Sequence, residues 1–251
     1  MNKIALITGG SRGLGRNAAL KLADQNIDII LTYHSNEKAA LDVVEQIKEK
    51  GQKAFAIQCD IRNISLFDHF IETISSVLKE QFGRKTLDYL LNNAGTGLHA
   101  SIEETSIDDL DDMLNIHVKG PFFFTQKLLP LIENGGHIVN ISSGLTRFSM
   151  PGSAAYAMAK GAVEVMTRYM AKEFAPKGIR VNTIAPGAIA TDFRGGAVRD
   201  SEQVQTMVAS ITALGRVGEA DDIGKAIAAI FSEGFDWITG QRIEASGGMM
   251  L

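Results

Sequence analysis

An alternation limits the fold of this chain more than any other feature. Short apolar runs of strand length take turns with segments of helical period through its 251 residues. "KIALIT" (3–8), "IDIILTY" (27–33), "KAFAIQC" (53–59), "LDYLLNN" (87–93), "GHIVNIS" (136–142) and "IRVNTIAP" (179–186) read as strands, with a last one near "QRIEAS" (241–246). Helices are predicted over 16–25, 36–51, 65–83, 106–133, 153–176 and 220–232, two of them stopped by glycine. Near-continuous apolar strands between helices imply a parallel sheet covered on both faces. Right-handed crossovers wind such a sheet doubly. No shift in composition marks a linker, so one α/β domain of about seven strands over residues 1–251 is expected.

Composition narrows the function. The net charge is −4, which offers nothing to nucleic acid or an anionic membrane. No apolar run reaches membrane-spanning length. The start, "MNKIALITGG", lacks the longer apolar core and cleavage site of a signal peptide. Cys59 is the only cysteine, which excludes an intrachain disulfide, and its apolar run predicts burial. A cytoplasmic protein is expected, with no residue pattern assigned to a metal.

"TGGSRGLG" begins at Thr8, where the first strand should hand over to the first helix. Gly9, Gly13 and Gly15 allow a tight turn and the approach of a pyrophosphate to the helix N-terminus. A dinucleotide with an unmodified ribose would call for an acid at the end of the second strand. That strand ends "LTYHSNE", with Tyr33 at the position. Arg12, with Ser35 and Asn36 nearby, could take a 2′-phosphate, so NADP(H) is favoured over NAD(H). Glu37 stands against this.

"SAAYAMAKGA" places Tyr156 and Lys160 one turn apart on one helix face. An ammonium beside a phenol should lower the phenol's pKa and let it exchange a proton with a carbonyl oxygen. Ser143 ends the fifth strand, where ligands of open α/β sheets bind, and could hold that oxygen. Strand alternation turns its neighbour Ser142 away.

Together these motifs resemble the short-chain dehydrogenases/reductases, in the compact branch with TGxxxGxG and YxxxK. The resemblance runs from "TGGSRGLG" to "ITGQRIEASGG" and takes in Asp60, "NNAG" (92–95), "ISS" (141–143), "YAMAK" (156–160) and "PGAIAT" (186–191). It implies a Rossmann fold and a hydride exchanged between NADP(H) and a carbonyl or secondary alcohol. Thr8, Gly9, Ser11, Arg12, Gly13, Leu14 and Gly15 would hold the pyrophosphate and adenosine ribose, with Tyr33, His34 and Ser35 at its rim. Asp60 and Ile61 would touch the adenine. Asn93, Ala94 and Gly95 would pass beneath the cofactor. Pro186, Gly187, Ile189 and Thr191 would hold its carboxamide. Ser143, Tyr156 and Lys160 match the family's catalytic serine, tyrosine and lysine, and Lys160 would also bind the nicotinamide ribose. Where the family has an asparagine that helps hold a relay water, "MLNIHVKGPFF" has His117. Two readings stand: a swap with little effect on rate, or an added pH dependence near neutrality.

Residues 190–215 resemble the family's substrate lid. Gly95, Leu98, Leu145, Phe148, Met150 and Phe193 should make a mostly apolar pocket, with Arg147 or Arg194 as anion contacts. A small ketone, steroid-like or sugar substrate is preferred. A 3-oxoacyl thioester on a carrier protein is the alternative, weakened because "LPLIENGGH" has no basic residue to dock an acidic partner. A non-catalytic cofactor sensor is the alternative of another class. By the resemblance the partners are a small carbonyl substrate and three further copies, a homotetramer. Its contacts would be the helices near 110–133 and 153–176 and the apolar "SGGMML" end.

Overall fold

The computed structural model describes residues 2–251. Numbered in chain order, the strands are β1 (Ile4–Ile7), β2 (Asp28–Tyr33), β3 (Ala54–Gln58), β4 (Leu87–Asn92), β5 (Ile132–Ile141), β6 (Arg180–Pro186), β7 (Ile189–Ala190), β8 (Gly218–Glu219) and β9 (Arg242–Ala245). The helices are α1 (Gly13–Ala23), α2 (Glu37–Glu49), α3 (Phe67–Val77), α4 (Ile107–Leu114), α5 (Gly120–Leu128), α6 (Ala154–Phe174), α7 (Ala197–Asp200), α8 (Glu202–Ser210) and α9 (Ala220–Ile230). Seven strands form one parallel sheet in the order β3-β2-β1-β4-β5-β6-β9. Strands β1, β2 and β6 carry the continuous apolar runs that a sheet buried on both faces requires, and their side chains are almost all buried.

Each face of the sheet has its own core. On one, Leu6, Ile30, Leu90 and Ile138 meet Phe67, Phe70 and Phe124, and Phe124 packs edge-on to Phe67 at 5.3 Å. On the other, Ile7, Leu31 and Val139 meet Leu22, Val43, Ile223 and Ile227 of α1, α2 and α9. The doubly wound single-domain Rossmann architecture expected from the alternation is the one observed.

Helix starts follow local chemistry. The Asn36 side chain caps α2 by accepting from Ala39 N at 3.0 Å, and Ser106 with Asp109 forms a capping box on α4. The boundaries differ from expectation where the backbone departs from ideal geometry. The helix predicted over 106–133 is α4 and α5 joined by a π-turn at Asn115–Lys119, and it ends in a short 3₁₀ turn. The helix predicted over 65–83 becomes a π-turn after Val77. Strand β5 starts four residues earlier than predicted, because Gly135 (φ 79°) accommodates a bulge where the pairing with β4 shifts register. Cys59 lies just past β3 and is only partly buried. No described helix is long and apolar enough to cross a membrane.

Candidate active site

The connections from β1 and β4 leave in opposite directions, so a crevice opens between their carboxyl ends. The glycine-rich turn lines one side of it. Gly9 is left-handed (φ 65°), and its N–H donates to Thr32 Oγ1 at 3.1 Å. A Cβ on Gly15 would stand 2.3 Å from Gly9 O and 2.5 Å from Asn93 Nδ2, so no side chain fits there. No side chain caps α1, and its first turn holds no acid. Its leading N–H groups are therefore available to an anion, and the cradle fits a pyrophosphate.

Two residues expected at the cofactor, Thr8 and Asn93, also brace the crevice. Thr8 Oγ1 is buried and accepts from Asn93 N (2.9 Å) and Ala94 N (3.0 Å). The Asn93 amide donates to Thr8 O (2.9 Å) and Gly9 O (3.0 Å). Together they tie the glycine turn to the loop after β4. The Ile61 side chain is buried in the core beside Asp60.

Ser11 and Arg12 lie in the glycine turn, Leu14 is in the first turn of α1, and His34 and Ser35 follow β2. No carboxylate ends β2. His34 faces Asp60 at 3.5 Å, and Arg12 pairs with Asp192 at 3.1 Å. The Asn36 amide oxygen is taken up in capping α2.

At the other end of the crevice, Ser143, Tyr156, Lys160 and His117 come together, all buried. Burial pushes the Tyr156 phenol up to about 12, against the opposing pull of the Arg194 charge and the Ser143 hydroxyl. The lowering by Lys160 expected from the sequence is therefore overridden in the protein alone. Burial also brings the Lys160 ammonium down to about 7, and its Nζ donates to Ile141 O at 2.8 Å and stands 5.6 Å from the Tyr156 ring centre. Ser142 turns the other way and donates to Glu164 Oε1 at 2.7 Å.

His117 lies in the π-turn between α4 and α5, its ring edge-on to Tyr156 at 5.3 Å. Its Nε2 is 2.7 Å from Thr96 O. A carbonyl can only accept, so Nε2 carries the proton and Nδ1 is left as an acceptor. A Cβ on Gly95 would strike the imidazole at 2.6 Å, so that glycine makes room for the ring. Burial, reinforced by Lys160, holds the imidazole well below its ordinary pKa. Burial therefore favours the neutral imidazole, which speaks against the reading of an added pH dependence near neutrality. A cavity of about 10 Å³ lies among Asn92, Asn140, His117 and Lys160. That is room for one water, and two buried acceptors there, His117 Nδ1 and Asn92 Oδ1, have no protein partner.

The third wall follows β6. Pro186 pairs with Ala245, Gly187 N donates to Ala245 O at 3.2 Å, and Thr191 Oγ1 accepts from Phe193 N at 3.3 Å. Strand β7 pairs with β8, so Ile189–Ala190 and Gly218–Glu219 tie the two ends of the 190–215 segment together. Phe193 leans on Tyr156 at 5.8 Å. Leu98, Leu145, Phe148 and Met150 are partly buried around this opening. At the chain's end Met249 is buried, whereas Leu251 is 95% exposed.

Sequence reasoning missed the supports behind the site. Arg242 bonds to Glu164 at 2.7 Å, Glu244 at 2.8 Å and Ser143 O at 3.3 Å, and so holds the turn that carries Ser143. A second chain of buried bonds runs Asn92–Asn140–Thr167–Thr183 from β4 to β6 through α6. The signal for the first two members of the second was present: an asparagine set in each of the apolar runs "LLNN" and "IVNIS".

This geometry has close counterparts. Residues 9–250 match the family profile described as enoyl-(acyl carrier protein) reductase. The 3-oxoacyl-[acyl-carrier-protein] reductase FabG of Staphylococcus epidermidis is 36% identical over 253 residues, spanning 100% of both chains. Among solved structures, the promiscuous reductase LugOII, which catalyses keto-reduction at C1 in lugdunomycin biosynthesis, superposes with a TM-score of 0.94 at 40% identity, covering 99% of this chain and 98% of its own. The angucycline C-6 ketoreductase LanV, solved with bound NADP, gives 0.93 at 35% identity, covering 99% and 95%. Matched by the family profile over residues 9–250 and by these relatives and structures along its whole length, the chain belongs to the short-chain dehydrogenase/reductase family of oxidoreductases.

Proposed function

We propose that the protein is an NADPH-dependent ketone reductase. The observation that carries this is the Tyr156 hydroxyl, buried beside Ser143 with Lys160 behind it, at the carboxyl end of the same sheet as the phosphate cradle. NADP(H) is the cofactor: β2 ends in Tyr33, followed by His34 and Ser35, with no carboxylate at the strand's end itself, and Arg12, paired with Asp192, is the cation of the glycine turn. The bound cofactor supplies the hydride that goes to the carbonyl carbon. The protein's own groups handle the oxygen. Ser143 holds it, Tyr156 Oη donates its proton as the C=O becomes C–OH, and Lys160 stabilises the phenolate left behind. A phenol near pKa 12 stays protonated at neutral pH, which suits it to the reductive direction.

His117 takes the place of the family's asparagine in reloading Tyr156. A water in the adjoining cavity donates to His117 Nδ1 and Asn92 Oδ1 and links Lys160 to the proton supply. His117→Phe is expected to lower kcat by roughly 10- to 100-fold with KM little moved, whereas His117→Asn keeps most of the rate. Neither variant should remove a limb from the pH profile near neutrality, since burial disfavours the charged imidazole. A new limb in that range in the wild type, absent from His117→Asn, would count against this role.

Residues 190–215 act as the substrate lid. The exposed Phe122, Phe123, Met158, Val165 and Tyr169 on α5 and α6 are the faces for a homotetramer, which the mass in solution reads. A 3-oxoacyl thioester remains the second substrate reading, favoured by the Staphylococcus relative, although residues 129–137 present Glu133 and no lysine or arginine to an acidic carrier. A sensor would have no use for a buried phenol poised beside a serine. The test is NADPH and NADH consumption against cyclic ketones, steroids, quinones, keto-sugars and acetoacetyl thioesters. Turnover that prefers NADPH is expected. Tight NADPH binding without turnover of any ketone would favour the sensor.

A further inference from the structure

Two arginines stand at the mouth of the pocket, and the structure separates them. Arg147 is fully matched. It bonds twice to Glu244 at 2.9 Å and also to Met249 O and Met250 O, so it straps down the chain's end. Arg194 has no such partner. It follows β7 in a left-handed conformation (φ 52°, ψ 43°), ahead of two further left-handed residues, Gly195 and Gly196. For a residue with a side chain that conformation is strained, and such strain gathers at functional sites. Its stem crosses Gly97, where a Cβ would meet Arg194 Cγ at 2.7 Å. Its guanidinium lies 5.9 Å from the Tyr156 ring centre. It donates to Leu98 O and to Ser153 Oγ, both neutral, and its buried Nε has no partner.

No carboxylate bonds to Arg194, and burial pulls its pKa below the ordinary arginine value. A half-buried guanidinium without an acid is costly unless something anionic completes it. Its planar fork matches a carboxylate, and Nη1, which bonds to no protein group, is the nitrogen open to one. The apolar surroundings, Phe193 and Leu98, suit a hydrocarbon body attached to that carboxylate.

We infer that Arg194 is a substrate-binding residue and that the pocket takes an oxo acid, a ketone with a carboxylate one or two carbons from the carbonyl. This rests on the reductase reading of the same site. The competing role is a plain latch, with Arg194 holding the 190–215 segment against Leu98 and Ser153. A latch affects charged and neutral ketones alike, and an anion contact does not.

The probes are phenylglyoxylate and its uncharged methyl ester, each followed by NADPH consumption with the wild type, Arg194→Met and Arg194→Lys. The wild type is expected to favour the acid. Arg194→Met should cut the acid-to-ester ratio of kcat/KM by roughly 30-fold or more, mainly through KM for the acid, and Arg194→Lys should restore much of it. Calorimetric binding of both probes to the NADP⁺-saturated protein gives a second readout. Binding of the acid that weakens in Arg194→Met, without turnover of either probe, would sink the reductase reading and leave the anion site standing. Turnover with an acid-to-ester ratio unmoved by Arg194→Met would overturn the inference and leave the reductase. A wild type that prefers the ester, or binds neither probe, also overturns it.

Discussion

Tyr156→Phe is expected to lower kcat about a thousandfold or more while NADPH binds within a few-fold of the wild type. The substitution removes one oxygen and leaves the ring in place. That ring is fixed on several sides, edge-on to His117 at 5.3 Å, against Phe193 at 5.8 Å, and beneath the Lys160 and Arg194 charges. Folding should therefore change by only about 1 kcal/mol, the usual net effect of one lost hydrogen bond. The rate should change far more, because no other group near Ser143 can deliver a proton to the substrate oxygen. His117 keeps its only N–H on Thr96 O, and Lys160 is held back on Ile141 O. A positioned general acid accounts for about 10²–10⁴ in rate, and the upper part of that range applies where nothing substitutes for it. The measurement is single-turnover NADPH oxidation with the best ketone of the panel, beside a thermal melt. A variant retaining more than a tenth of the rate, with an unchanged melt, would show that Tyr156 is not the proton donor.

Much of this site could be read from the sequence because it depends on backbone rules. The doubly wound parallel sheet follows from apolar runs and crossover handedness, and the crevice follows from the winding. Tyr156 and Lys160 share a face because helical period demands it. Ser143 and Ser142 part company because strand alternation demands it. What stayed hidden depends on how far buried groups are from water and from each other. The sequence places an ammonium one turn from a phenol, and that spacing alone argues for an acidified tyrosine. Only the folded chain shows that burial acts on both groups and outweighs their mutual effect, with the phenol near 12 and the ammonium near 7. The roles of Thr8 and Asn93 were hidden for a similar reason. A motif marks the loop but does not say whether a side chain faces the ligand or the backbone behind it, and here both face the backbone. Arg12 and Arg147 look alike in sequence as exposed cations. Their partners Asp192 and Glu244 lie 180 and 97 residues away, beyond the reach of local pattern.

The same pair of shifts makes Lys160→Met the second large effect and gives it a distinct pH signature. Methionine fills nearly the same volume, so the loss should be mostly electrostatic, roughly 10²–10³ in kcat. Near neutrality Lys160 titrates and Tyr156 does not. The ammonium, present below about pH 7, is the form that stabilises a developing phenolate. Wild-type kcat/KM for ketone reduction should therefore fall as pH rises through about 7, and the Met variant should lose that limb. Stability should move the other way. The folded-state pKa of Lys160 lies below its ordinary 10.5, so the unfolded chain holds this proton more tightly. The wild type bears the full penalty below about pH 7, and the penalty fades as pH rises towards 10.5. Any gain in melting temperature for Lys160→Met over the wild type should accordingly be largest at pH 6 and shrink by pH 9, offset throughout by the Ile141 carbonyl left without its donor. A variant that keeps the wild-type limb near pH 7 would place that titration on another group. A stability difference that grows with pH would mean that Lys160 is not held near neutrality by burial.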